Sequence, residues 1–161
     1  KVAGATTIIA VDVVPERLAL AERFGATAVI DSRTENVAKR IRQLSGGGVD
    51  FAVDTTAIGP VIEALIKATA QDARIALIGV AKSGTTLDIG RLPLLGKTLI
   101  WGVEGDSIPQ TFIPELLALQ QAGDFPFDEL ITEYPFDRLD EAIADTAAGT
   151  AVKAVLVLPE D

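Results

Sequence analysis

Asp12 closes the apolar run Thr6-Thr-Ile-Ile-Ala-Val-Asp12, and Pro15 follows where a helix can begin. An acid at the end of a strand, before a turn into a helix, is placed to accept hydrogen bonds from the hydroxyls of an adenosine ribose. Its charge also repels a 2′-phosphate, which favours NAD over NADP. An ordinary turn aspartate would occupy the same position, so spacing alone leaves both readings open. Three further groups fall at the ends of apolar runs: Asp54-Thr55-Thr56, Gly79-Val80-Ala81 and Gly102-Val103-Glu104-Gly105. The carboxyl-terminal edge of an open α/β sheet is where its ligand sits, although Asp, Thr and Gly are also common turn residues.

A glycine-rich G-x-G-x-x-G loop should lie about 20 residues before such an acid. Only eleven residues precede Asp12, so the loop is expected upstream of Lys1, with Lys1-Val-Ala-Gly4 as the tail of the helix it opens. Gly46-Gly47-Gly48 is no substitute, because it follows a helical segment instead of a strand. The chain also contains no Met, as expected of a segment that starts inside a larger protein. With no His and no Cys, a Ser/His/Asp or Cys/His constellation is impossible, and the usual transition-metal ligands are missing. No catalytic residue and no metal site is therefore expected.

The elements that would position these residues alternate. Short β-branched runs at 6–12, 27–31, 49–54 and 73–79 read as buried parallel strands. Helical patterns follow Pro15, run from Glu35 to Leu44, and follow Gly59-Pro60. This rhythm predicts a parallel sheet covered on both faces. Later come strands at 85–89 and 98–103, a helix over 113–122, a strand over 130–134, a helix over 139–148 with Asp137 as N-cap, and a last strand over 152–158. No second-domain linker stands out. At 161 residues and 48% hydrophobic, the chain suits one domain. A net charge of −9 opposes nucleic acid and anionic membrane as partners, no apolar stretch is long enough to span a bilayer, and a cytoplasmic location is expected.

The residues also match a known family. Lys1-Val-Ala-Gly-Ala-Thr-Thr-Ile-Ile-Ala-Val-Asp12 resembles a passage of zinc-type medium-chain alcohol dehydrogenases. The resemblance continues through Arg17, Phe24-Gly25-Ala26, Gly47-Gly48-Val49-Asp50-Phe51, Gly79-Val80, Leu95-Gly96-Lys97-Thr98, Leu130-Ile131 and Pro135-Phe136. Trp101-Gly-Val-Glu-Gly-Asp-Ser107 and Phe112-Ile-Pro114 look most like the aryl-alcohol (benzyl alcohol) dehydrogenase branch.

The resemblance implies a Rossmann-type doubly wound sheet over residues 1–161, lacking its first strand and glycine-rich loop. It implies NAD as hydride acceptor and oxidation of a primary alcohol, with aromatic alcohols among the candidates, to its aldehyde, with zinc held by an N-terminal domain outside this sequence. Asp12 and Arg17 would then bind the adenosine ribose, and Thr55 and Thr56 would line the adenine side. Gly79, Val80, Gly102, Val103 and Glu104 would face the nicotinamide riboside and amide, and Lys153 the pyrophosphate. By itself the chain is expected to be inactive. Oligomers are expected through edges near Thr86–Ile89 and Leu99–Val103, supported by Leu92-Pro-Leu-Leu95.

In the strand order 3-2-1-4-5-6 the first strand separates those ending at Asp12 and Asp54, so its loss would leave two open strand edges for another segment or a second molecule. A non-catalytic nucleotide-binding module is an alternative reading. So is a receiver-type phosphoacceptor domain built on Asp54, Thr55, Thr56 and Lys82, although such domains need adjacent acids where Asp12 stands alone. A methyltransferase would need the same absent glycine loop.

Overall fold

The computed structural model describes residues 1–90, 95–102 and 104–159. They form two compact units that divide at Ser107 and Ile108. The first holds β1 (Ile9–Asp12), α1 (Pro15–Arg23), β2 (Ala28–Asp31), α2 (Val37–Ser45), β3 (Val49–Asp54), α3 (Gly59–Ala68), β4 (Thr69–Leu77) and β5 (Thr98–Trp101). The second holds α4 (Pro109–Gln121), β6 (Ile131–Pro135), α5 (Leu139–Ala148) and β7 (Lys153–Val157).

All strand pairs are parallel, as the strand–helix alternation requires. In the first unit β1 pairs with β2, and β3, β4 and β5 form a separate ladder. Among the described residues no ladder joins β1 to β3, so each keeps an unpaired edge. Phe51 (72% exposed) and Val53 on β3, and Val11 on β1, lie open near those edges. Helix α2 crosses from one ladder to the other. Its Ile41 packs with Ile30 of β2 and with Ala68 at the end of α3, joined by Ile9 and Val49. A second cluster joins Ile62 and Ile66 of α3 to Ile75 and Leu77 of β4. In the second unit, Tyr134, Ala142 and Ala151 form the core, and the Tyr134 hydroxyl donates to Asp145 Oδ2 at 2.7 Å.

Local chemistry explains the boundaries. Pro15 occupies the first turn of α1, where its missing N–H costs nothing. Asn36 caps α2 by accepting from the Lys39 N–H, and Gly46 ends it in the left-handed conformation. The end of α3 is held by a side chain distant in sequence. The Lys97 ammonium donates to the carbonyls of Ile66 and Thr69 and to Thr69 Oγ1. Replacing Lys97 by alanine takes the ammonium from these buried acceptors, leaving the Ile66 carbonyl only the Thr69 hydroxyl at 3.0 Å, and a loss of about 1–3 kcal/mol is expected in urea unfolding. An unchanged midpoint would mean that water replaces the ammonium.

Several expectations from sequence are corrected. Residues 1–4 form a single turn, closed by the Gly4 N–H on the Lys1 carbonyl, with Gly4 at φ +88°. Residues 85–89 join no ladder among the described residues. β4 starts at Thr69, since an irregularity that places Asp72 at φ +59° lets the chain enter the ladder early. Pro109 opens α4 four residues before the expected start. A 3-10 turn over Phe136–Arg138 precedes α5, so Asp137 lies in that turn and Arg138, with no side-chain cap bond, occupies the N-cap.

Candidate adenosine and nicotinamide site

The β1–β2 register places Asp12 opposite Asp31. In the β3–β4–β5 ladder, Asp54 is opposite Leu77, and Leu77 opposite Trp101. The strand ends that sequence reasoning singled out in the first unit are thus ladder ends.

Asp12 is half-buried. Its Oδ1 accepts from the Val13 and Val14 N–H groups, at 2.7 and 2.9 Å. These bonds fix the carboxylate at the mouth of the turn into α1 and leave Oδ2 without a protein partner among the described residues. Arg17 is exposed in the first turns of α1.

The two threonines after β3 differ. Asp54 is 3% exposed, and its two oxygens accept from Thr56 Oγ1 and the Ala57 N–H, both at 2.8 Å. Thr56 Oγ1 also accepts from the Ile58 N–H, so this hydroxyl is committed to the loop. Thr55 is exposed, with its hydroxyl open. The burial of Asp54 opposes the phosphoacceptor reading, because a phosphodonor needs an open carboxylate.

After β4 the chain passes Gly79, whose missing side chain is required: a Cβ there would lie 2.7 Å from the Thr55 carbonyl oxygen. Val80 then stands 96% exposed, an apolar side chain offered to solvent. The Gly102 N–H donates to the Leu77 carbonyl at 3.4 Å. Glu104 starts a short 3-10 turn, and Val103 lies outside the described residues. Lys153 begins β7 and so belongs to the second unit.

Sequence reasoning missed a cluster beside Asp12. Arg33 binds Asp31 through its backbone N–H to Oδ1, Nε to both oxygens, and a terminal nitrogen to Oδ2 at 2.7 Å. The hydrogen bonds from Arg33 hold the Asp31 carboxyl below its ordinary 3.8, at about 2. Ser32, between them, donates its N–H to the Asp12 carbonyl at 3.1 Å. The D-S-R spacing was the available signal.

The zinc-binding dehydrogenase family model matches residues 1–122. The chain belongs to this family. Among curated relatives of the zinc-binding dehydrogenase, geraniol dehydrogenase of Castellaniella defragrans is 38% identical over 96% of the chain and 42% of its own length. A zinc-binding-domain alcohol dehydrogenase from Burkholderia ambifaria has 45% identity and a TM-score of 0.94, covering 99% of this chain and 44% of that one. Benzyl alcohol dehydrogenase from Acinetobacter calcoaceticus has 40% identity and a TM-score of 0.94, covering 98% and 44%. The chain therefore spans under half the length of these zinc-binding dehydrogenases, and its folding pattern is that of their Rossmann-like half.

The residues present fit the two ends of a dinucleotide. Asp12 offers an oriented carboxylate oxygen to a ribose diol, and Thr55 an open hydroxyl. Gly79 allows two loops to meet closely, leaving Val80 as an apolar wall. Among the described residues no group of His, Cys, Asp or Glu could hold a metal.

Proposed function

We propose that the chain is the NAD-binding part of an alcohol dehydrogenase that oxidises primary alcohols, aromatic ones among the candidates, to their aldehydes. The Asp12 carboxylate carries the reading: backbone N–H groups fix one oxygen, and the other is open toward a ribose diol. NAD, when bound, supplies the hydride acceptor. Asp12, Arg17 and Thr55 bind and orient its adenosine end. Gly79, Val80 and Gly102 border the nicotinamide. Thr56 acts through the loop, by holding Thr55 in place. Activation of the alcohol by zinc falls to a part of the enzyme that this chain does not contain, so the chain by itself transfers no hydride.

The names of the relatives support the substrate class: geraniol and benzyl alcohol are both primary alcohols. The reading includes a cytoplasmic enzyme with residues 1–161 as one cofactor-binding domain. Copies associate through the edges near Thr86–Ile89 and Leu99–Val103, where Ile89, Ile100 and Trp101 are exposed. No described helix is long and apolar enough to cross a membrane.

Calorimetric titration of the chain with NAD and NADP tests the reading. NAD is expected to bind more tightly than NADP. Asp12→Asn keeps an acceptor for the turn but removes the charge, and should weaken NAD about tenfold while narrowing the preference. Equal affinities for the two cofactors in the wild-type chain would overturn the role of Asp12.

A further inference from the structure

We propose that Asp31 sets the selectivity of the adenosine site by sequestering the Arg33 guanidinium, which would otherwise accept a ribose 2′-phosphate; the inference rests on the NAD-site reading above. Asp12 and Asp31 are register partners on adjacent parallel strands. Strands in a sheet lie about 4.8 Å apart, and side chains of paired residues leave the same face. Ser32 ties the next residue back to Asp12 by its N–H and, at 3.5 Å, its hydroxyl. The Thr34 and Glu35 N–H groups both return to the Asp31 carbonyl, at 3.1 Å, so the turn that carries Arg33 is closed. Arg33 is therefore presented one residue beyond the tie to Asp12. Glu16, at the start of α1, also acts on it electrostatically.

A guanidinium at this point is what a 2′-phosphate would seek, because arginine offers a planar fork to two phosphate oxygens. Here the edge formed by Nε and one terminal nitrogen is already occupied. Nε reaches both Asp31 oxygens, at 3.0 and 3.2 Å, and the terminal nitrogen reaches Oδ2 at 2.7 Å. The Arg33 side chain is nonetheless 52% exposed, so the pairing, and not burial, keeps it from an incoming anion. Discrimination against the 2′-phosphate thus has two sources: the charge of Asp12 excludes it, and Asp31 occupies the cation that could otherwise offset that charge. Arg17, exposed on α1 and without an ion pair among the described residues, is the other cation proposed for the adenosine end and is the control for this assignment.

The test titrates the full chain with 5′-AMP and with 2′,5′-ADP, which differ only by the 2′-phosphate. Wild type is expected to bind 5′-AMP and to bind 2′,5′-ADP about tenfold more weakly. Asp31→Asn keeps the Oδ1 acceptor for the Arg33 N–H and for Nε, but removes the charge and replaces Oδ2 with an amide nitrogen that cannot accept, so the terminal nitrogen of the guanidinium is released. It should raise 2′,5′-ADP affinity about tenfold and leave 5′-AMP within about twofold. The double variant Asp31→Asn/Arg33→Ala should lose that gain. If 5′-AMP binds but Asp31→Asn brings no gain, the proposal fails while the adenosine site stands. A gain that persists in the double variant belongs to Arg17 or to the lost charge, and also overturns it. If wild type binds no 5′-AMP, the NAD-site reading fails and this inference with it. Circular dichroism of each variant, matched to wild type, separates lost recognition from lost fold.

Discussion

Asp54→Ala is expected to destabilise the first unit by about 3 kcal/mol. The carboxylate is buried, and it alone satisfies the Thr56 hydroxyl proton and the Ala57 N–H. Alanine leaves that amide inside the turn without an acceptor, at a residue held at φ +54°, where a side chain is disfavoured. Hydrogen bonds to charged groups contribute about 1.5–3 kcal/mol each, and a stranded buried donor adds its own desolvation cost. Urea unfolding followed by the fluorescence of the single tryptophan, Trp101, reads the effect in the ladder that contains Asp54. A loss under about 1 kcal/mol would show that the turn is held by other contacts. Asp54→Asn, which keeps one acceptor oxygen, should fall between.

Gly79→Ala should cost about 2–3 kcal/mol and abolish NAD binding. The added methyl would meet the Thr55 oxygen at 2.7 Å, the Ala57 nitrogen at 2.8 Å and the Ala57 Cβ at 2.9 Å. Two of these are backbone atoms, so no rotamer change relieves the overlap; the Thr55–Ala57 loop or the end of β4 must move. Either movement displaces Thr55 or Val80, the two surfaces given to the cofactor. Because Asp54 and Gly79 act on one loop, their effects should not add. The double variant is expected to cost less than the sum of the two single losses, since the first change already frees the loop. Full additivity would separate the two contacts. Unaltered NAD affinity in Gly79→Ala would take the loop out of the binding site.

Most of the first unit was legible because its signals are local. Pro15, the Asn36 region, Gly46 and Gly59-Pro60 mark helix ends by rules that need no tertiary information. The apolar runs that became β1 to β5 were found with boundaries off by a few residues. What failed depended on neighbours. Residues 85–89 have the composition of a strand, but a strand exists only where a partner offers its edge. The early start of β4 required Asp72 to enter the left-handed region, which its residue type permits but does not announce. Pro109 did carry a local signal for the start of α4, and the apolar periodicity further along outweighed it. At the proposed site, position alone singled out Asp12 and the strand-end glycines as candidates. The division of labour between Thr55 and Thr56 could not be read that way, since it turns on which hydroxyl Asp54 engages. The D-S-R spacing pointed to an Asp31–Arg33 pair, but only the β1–β2 register places that pair beside Asp12.

Helix α2 is the element through which the β1–β2 and β3–β5 ladders share a core, and no described backbone ladder joins them directly. A protein held together in this way does not melt as a single sheet. Breaking the packing around Ile41 would release two blocks, each with its own hydrogen bonds intact, so the midpoint of a thermal scan depends on which block the probe occupies. Trp101 reports on the block that contains Asp54 and Gly79, and is silent about the one that contains Asp12 and Asp31. Cofactor that touches both blocks would act as a clamp across them, drawing two transitions toward one. The sharpening of a melt on adding nucleotide is therefore as informative for this chain as the shift of its midpoint.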